Sequence, residues 1–105
     1  MGRIYGVTTI SILNAVADGR RHGFDIIEAT GLPSGTVYPA LSRLEDAGYL
    51  RSGWEDARIA QQEKRPPRRY YAVTVAGRQA LHTAGERYRV LGRTIGRARA
   101  ARVRG

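Results

Sequence analysis

The chain has 105 residues, enough for one domain and a projecting element, and 18 Lys and Arg against 9 Asp and Glu give a formal net charge of +9. Residues 1–50 hold Arg3, Arg20, Arg21 and Arg43 against Asp18, Asp25, Glu28, Glu45 and Asp46, a net −1, so residues 51–105 hold +10. An excess confined to one half points to a polyanionic partner, nucleic acid ahead of an anionic membrane. With no Cys and two His, His22 and His82, the chain is expected to have no disulfide, no metal site and no cofactor. No apolar run approaches a membrane span or a signal-peptide core. A cytoplasmic setting is the expectation. No Ser-His-Asp order, paired carboxylates or phosphate loop stands out, so an enzyme is not expected.

From Tyr5 to Asp18, Val7, Ile10, Leu13 and Ala17 recur on one helical face with Ile12 and Val16 beside them, closed by Gly19. Arg20 to Gly23 forms a polar link. Phe24, Ile27 and Ile26 then mark a brief second helix ending at Thr30-Gly31. Leu32-Pro33 interrupts the helical path, because the residue before proline is pushed out of the α region. Ser34 is the expected N-cap of a third helix, in which Val37, Ala40, Leu41 and Leu44 form a core face. Gly35, Pro39, Ser42, Arg43 and Asp46 lie opposite, Thr36, Tyr38 and Glu45 flank them, and Gly48 stops the helix.

Residues 50–55 and 69–75 alternate as two half-buried antiparallel strands. The segment between them, 56–68, contains Arg58, Lys64, Arg65, Pro66, Pro67 and Arg68 and is expected to be a long basic hairpin loop. Thr74 is placed to cap a last helix. In that helix Leu81, Ala84, Tyr88, Leu91, Ile95 and Ala98 step in alternating threes and fours, a coiled-coil-like seam suited to a homodimer interface. Gly85, Gly92 and Gly96 each weaken an isolated helix by about 1 kcal/mol, so the seam needs packing to hold it, and fraying is expected near 99–105.

Two helices, a short turn, a presented helix and a hairpin with a basic tip make an α+β, mostly helical, winged helix-turn-helix layout. The expected division is a DNA-binding domain over 1–75 and a dimerisation helix with a basic tail over 76–105. The run Thr36-Val37-Tyr38-Pro39-Ala40-Leu41-Ser42-Arg43-Leu44-Glu45-Asp46-Ala47-Gly48-Tyr49-Leu50, then Trp54-Glu55, then Arg69-Tyr70-Tyr71-Ala72-Val73-Thr74-Val75-Ala76-Gly77, resembles the PadR family of bacterial transcriptional regulators. His22-Gly23-Phe24-Asp25-Ile26 matches that family's second-helix opening, and the resemblance spans about residues 7–81. It implies a winged-helix repressor that dimerises through its C-terminal helix and often responds to a ligand. The chain departs from the family's common Gly-Arg-Pro wing tip, reading Lys64-Arg65-Pro66-Pro67-Arg68 in a longer wing, and it carries one short C-terminal helix.

The expected DNA-binding residues are Ser34, Thr36, Tyr38, Ser42 and Arg43 on the presented helix and Arg58, Lys64, Arg65, Arg68 and Arg69 in the wing. Hydroxyls and a helix start hold phosphates, Ser42 or Arg43 reaches base edges, and wing arginines suit a narrow minor groove. Trp54 is expected to anchor the wing on Leu50, Tyr71 and Val73, with an aromatic wall for an effector as its second reading. Tyr5, Tyr88 and Leu91 are better placed for a dimer cavity, with core packing as their leading reading. The late arginines, among them Arg89, Arg93 and Arg97 on one face, are read as a solvated flank. The chain is thus expected to be a homodimeric repressor on double-stranded DNA, open to a small-molecule effector. The rival readings are a winged-helix interaction adaptor and a sequence-independent nucleic-acid binder.

Overall fold

The structure is a computed structural model and describes residues 6–86. Helix α1 (Val7–Ala17) buries Ile12, Leu13, Ala15 and Val16, while Val7 is exposed. The buried face is therefore shifted from the expected Val7–Ile10–Leu13–Ala17 stripe: Leu13 is buried, Ile10 and Ala17 are half-buried, and Ile12, Ala15 and Val16 complete the face. Gly19 at φ 100° ends the helix: its N–H reaches the Val16 carbonyl (3.0 Å) and that of Arg20 reaches Ala15 (3.0 Å). This bond pair satisfies two of the carbonyls that a helix end leaves open.

Helix α2 (Gly23–Thr30) turns inward Ile26, which is fully buried, and leaves Phe24 69% exposed, reversing the weight the sequence gave those two positions. Gly23, Ile26, Ile27 and Thr30 share the inward face at helical spacing, and Phe24 falls outside it. Gly31, left-handed at φ 70°, closes α2. Helix α3 (Ser34–Asp46) follows after the short turn 31–33. Its N-cap is Pro33, not Ser34, and Ser34 makes no capping bond. The extended Pro33 backbone offers its carbonyl to the N–H of Thr36 (2.9 Å) and Val37 (3.0 Å). Proline suits the place because its missing N–H has no partner to lose there.

The core face of α3 is as expected: Val37, Ala40, Leu41 and Leu44 are buried, with Gly48 at φ 82° as the stop. They join Ile12, Leu13, Val16, Ile26, Leu50 and Tyr71 in one cluster, where each fully buried large aliphatic side chain contributes about 1.5–3 kcal/mol.

Strands β1 (Leu50–Trp54) and β2 (Arg69–Val73) pair antiparallel, Leu50 opposite Val73 and Trp54 opposite Arg69. Both end earlier than expected, although the Glu55 N–H still reaches the Arg68 carbonyl (2.9 Å). Residues 21–22, read from sequence as a polar link, add to the free edge of β2: the Tyr71 N–H donates to the Arg21 carbonyl (2.8 Å) and His22 bridges to Tyr70. The expected hairpin loop contains a helix, α4 (Ala57–Gln62), capped by the Asp56 side chain, which accepts from the Arg58 N–H at 2.9 Å. A capping Asp followed by six residues without Gly or Pro was its signal in the sequence, and the two later prolines bear only on the return to β2.

Thr74 caps the last helix, α5, which covers 75–86 among the described residues. Its Oγ1 donates to the Gly48 carbonyl (2.6 Å) and accepts from the Gly77 N–H (3.0 Å). Ala80 and Leu81 pack on the core, so the start of α5 belongs to the head of the molecule. Tyr5, Tyr88, Leu91, Ile95 and Ala98 lie outside the described residues, as does most of the expected dimer seam.

Candidate nucleic-acid interface

Burying the Val37–Leu44 face fixes what α3 presents. Ser34, Gly35, Tyr38, Pro39, Ser42, Arg43 and Asp46 are exposed, and Thr36 is half-buried. Among the described residues the side chains of Ser42 and Arg43 make no hydrogen bond or ion pair, leaving both available to a ligand. Tyr38 is committed on one side. Its ring lies against Gly23, where a Cβ would sit 2.5 Å from the phenolic oxygen. Gly23 thus sets how closely α2 approaches α3, and the outer part of Tyr38 stays exposed.

The C-terminal turn of α3 is tied to the wing. Ser52 Oγ donates a short hydrogen bond to Glu45 Oε1, Arg69 Nη2 donates to Ser52 Oγ at 2.7 Å, and Arg69 and Glu45 are 3.9 Å apart. The Arg69 guanidinium also stands 5.2 Å from the centre of the Trp54 ring, within cation–π range. Trp54 is 64% exposed and does not anchor the wing in the core. Alternation sets Trp54 on the same side of β1 as Leu50, but burial is lost along the strand from Leu50 to Trp54, and the Arg69 guanidinium stands over the exposed ring.

The wing cations divide by partner. Arg65 forms a fork with Glu55 at 2.6 and 2.9 Å and also bonds Glu63, with both Arg65 and Glu55 side chains largely covered. These hydrogen bonds hold the Glu55 carboxyl below its ordinary 4.5 and push Arg65 further up. Arg58 pairs loosely with Asp56 at 3.4 Å while remaining highly exposed. Lys64 and Arg68 are exposed and unpaired among the described residues. Of the five cations read as a basic tip, two are thus bound into the scaffold: Arg65 closes the wing and Arg69 braces it on α3. The braces Glu45 and Ser52 and the sheet-edge His22 were not among the candidates expected from sequence, because contacts between separated segments leave no periodic trace.

No group of His, Cys, Asp and Glu among the described residues is placed to hold a metal, and no described helix is long and apolar enough to cross a membrane. No curated protein matches the chain. Among solved structures, a PadR family transcription regulator from Clostridium difficile R20291 superposes with a TM-score of 0.77 at 22% identity, covering 88% of this chain and 97% of its own. A PadR-like transcription factor from Bacteroides fragilis gives 0.70 at 24% identity, covering 85% and 86%. Bordetella bronchiseptica BpsR, whose DNA binding is regulated by 6-hydroxynicotinic acid, gives 0.69 at 18% identity, covering 85% and 59%. These likenesses establish the fold. The sequence profile of the transcriptional regulator PadR-like family matches residues 12–83, most of the chain. The chain belongs to the PadR-like family of transcriptional regulators, DNA-binding proteins rather than enzymes.

Proposed function

We propose that this regulator is a cytoplasmic, homodimeric repressor that reads a pseudo-palindromic operator in double-stranded DNA. The observation that carries this is the outer face of α3, exposed and largely neutral, with Ser42 and Arg43 unengaged and wing cations projecting from the same head. A helix fits the major groove, so Ser42 and Arg43 read base edges, and Ser34, Thr36 and the free edge of Tyr38 contact the backbone at the start of α3. Arg58, Lys64 and Arg68 meet phosphates or the minor groove. Arg65 and Arg69 shape the wing that presents them. Two heads joined by the 76–105 segment, through Leu81, Ala84, Tyr88, Leu91, Ile95 and Ala98, place two α3 helices in major grooves about 34 Å apart. An effector would act by preferring one relative pose of the heads. The similarity of fold to BpsR, whose DNA binding is regulated by 6-hydroxynicotinic acid, supports this part of the reading, and nothing more specific passes to this chain.

The test compares a promoter fragment from the protein's own neighbourhood with random DNA at physiological salt. Ser42→Ala with Arg43→Ala is expected to weaken promoter binding by about tenfold or more, from a cost of about 1–3 kcal/mol for each base interaction removed, and random-DNA binding far less. Equal losses on both would remove these residues as base readers, and equal wild-type affinities would favour the sequence-independent binder. A stable monomer by light scattering that binds no duplex would favour the adaptor.

A further inference from the structure

A cleft of about 340 Å³ lies between the end of α1, the strand pair and the first turn of α5, with no α3 residue in its lining. Gly19, Tyr70 and Ala72 form part of its wall, and three arginines line it: Arg21 from the link before α2, Arg51 from β1 and Arg78 from α5. No carboxylate is in the lining. All nine Asp and Glu of the chain lie within the described residues, yet among those residues none forms an ion pair with Arg21, Arg51 or Arg78. The contrast with the wing is direct, since Arg58, Arg65 and Arg69 each have a carboxylate within 4 Å there. Three like charges around one small cleft repel each other unless an anion lies between them. At the neighbouring end of α1 the carbonyls of Asn14, Ala15 and Val16 already accept from Asp18, Arg20 and Gly19.

We propose that this cleft is an oxyanion site, taking a carboxylate or phosphate group between Arg21, Arg51 and Arg78. Guanidinium forks match both groups and bind them with paired, charge-assisted hydrogen bonds. The three arginines stand on the α1–α2 link, the base of the wing and the start of the last helix. An occupant therefore favours the arrangement in which those parts converge, and couples the wing to the segment leading towards the proposed dimer seam. Anion binding stands independently of the proposed function, and only its consequence for DNA rests on that reading.

The test is a titration of the full chain with inorganic phosphate at constant ionic strength, followed by NMR of the arginine Nε–H groups and the Tyr70 ring. Saturable shifts at Arg21, Arg51 and Arg78 are expected, with affinity reduced about tenfold or more by Arg51→Met with Arg78→Met. Linear shifts spread equally over Arg58 and Arg68 in the wild-type protein overturn the site without recourse to any variant. DNA binding then separates the sources of the anion. For a free ligand, the double variant binds DNA normally in the absence of phosphate and loses the phosphate effect. For a DNA phosphate, it binds DNA more weakly and phosphate competes in the wild type. A chain that saturates with phosphate but binds no DNA retains the cleft and rejects the regulator reading.

Discussion

Gly77 shows how a single residue positions an element. A Cβ there would collide with the Tyr49 carbonyl oxygen, a backbone atom that also accepts from the Thr74 N–H at 3.1 Å. The contact cannot be relieved by rotating a side chain, so α5 and the turn into β1 would have to separate. Gly77→Ala is expected to destabilise the protein by about 1–3 kcal/mol or more, read as a lower midpoint in urea unfolding. Gly85, with nothing within 4 Å of its added Cβ, is the control: Gly85→Ala is expected to stabilise by up to about 1 kcal/mol. The two glycines look alike in sequence. Gly19, Gly31 and Gly48 were legible as helix stops because their role is local and lies in a left-handed backbone. The role of Gly77 depends on a residue 28 positions away and was not legible.

At the scale of the element, the wing is a folded unit in its own right, with α4 between its strands and a Glu55–Arg65–Glu63 cluster closing the segment beyond the Trp54–Arg69 pair. The hydrogen bonds from Arg65 lower the Glu55 pKa in the folded chain. Folding thus favours the ionised form, and the contribution is present above about 4.5 and lost as pH falls through the lowered folded value. Hydrogen exchange, corrected for its intrinsic pH dependence, is expected to show the Glu55 and Arg65 amides losing protection below about 4.5, before the amides of the α3 core. In Glu55→Gln these amides are expected to be less protected at neutral pH, with the acid step greatly reduced. A step that persists unchanged in that variant would assign it to another carboxylate. The basic character of this segment was plain in the sequence. Which cations are free was not, since Glu55 precedes Arg65 by ten residues and meets it only when the wing closes.

For the whole molecule, the net +9 overstates the charge offered to DNA by the head. The wing from 55 to 69 carries Glu55, Asp56 and Glu63 beside its five cations, and Arg65 and Arg69 are held by protein partners. Lys64→Met with Arg68→Met is therefore expected to lower the slope of log affinity against log salt by about 0.9 for each phosphate these side chains neutralise. Arg65→Met is expected to reduce affinity by disordering the wing, with a smaller change in slope. A slope unaltered by the Lys64 and Arg68 changes would place the phosphate interactions elsewhere, for instance on the arginines beyond residue 86.

The sequence by itself determined the elements whose information is local and periodic: the three helices of the head, the Val37–Ala40–Leu41–Leu44 core face, the two strands, the Thr74 cap and the family. Each rests on a 3.6- or 2-residue period, a stop signal or an ordered set of motifs, all of which survive in one dimension. The tertiary structure decided what requires two distant segments to meet. It left Trp54 uncovered at the end of the strand pair, bound Arg65 and Arg69 to carboxylates, set Tyr38 over Gly23 and gathered Arg21, Arg51 and Arg78 around one cleft. Burial and ion pairing depend on distances in space, and residues 21, 51 and 78 share no spacing from which their convergence follows.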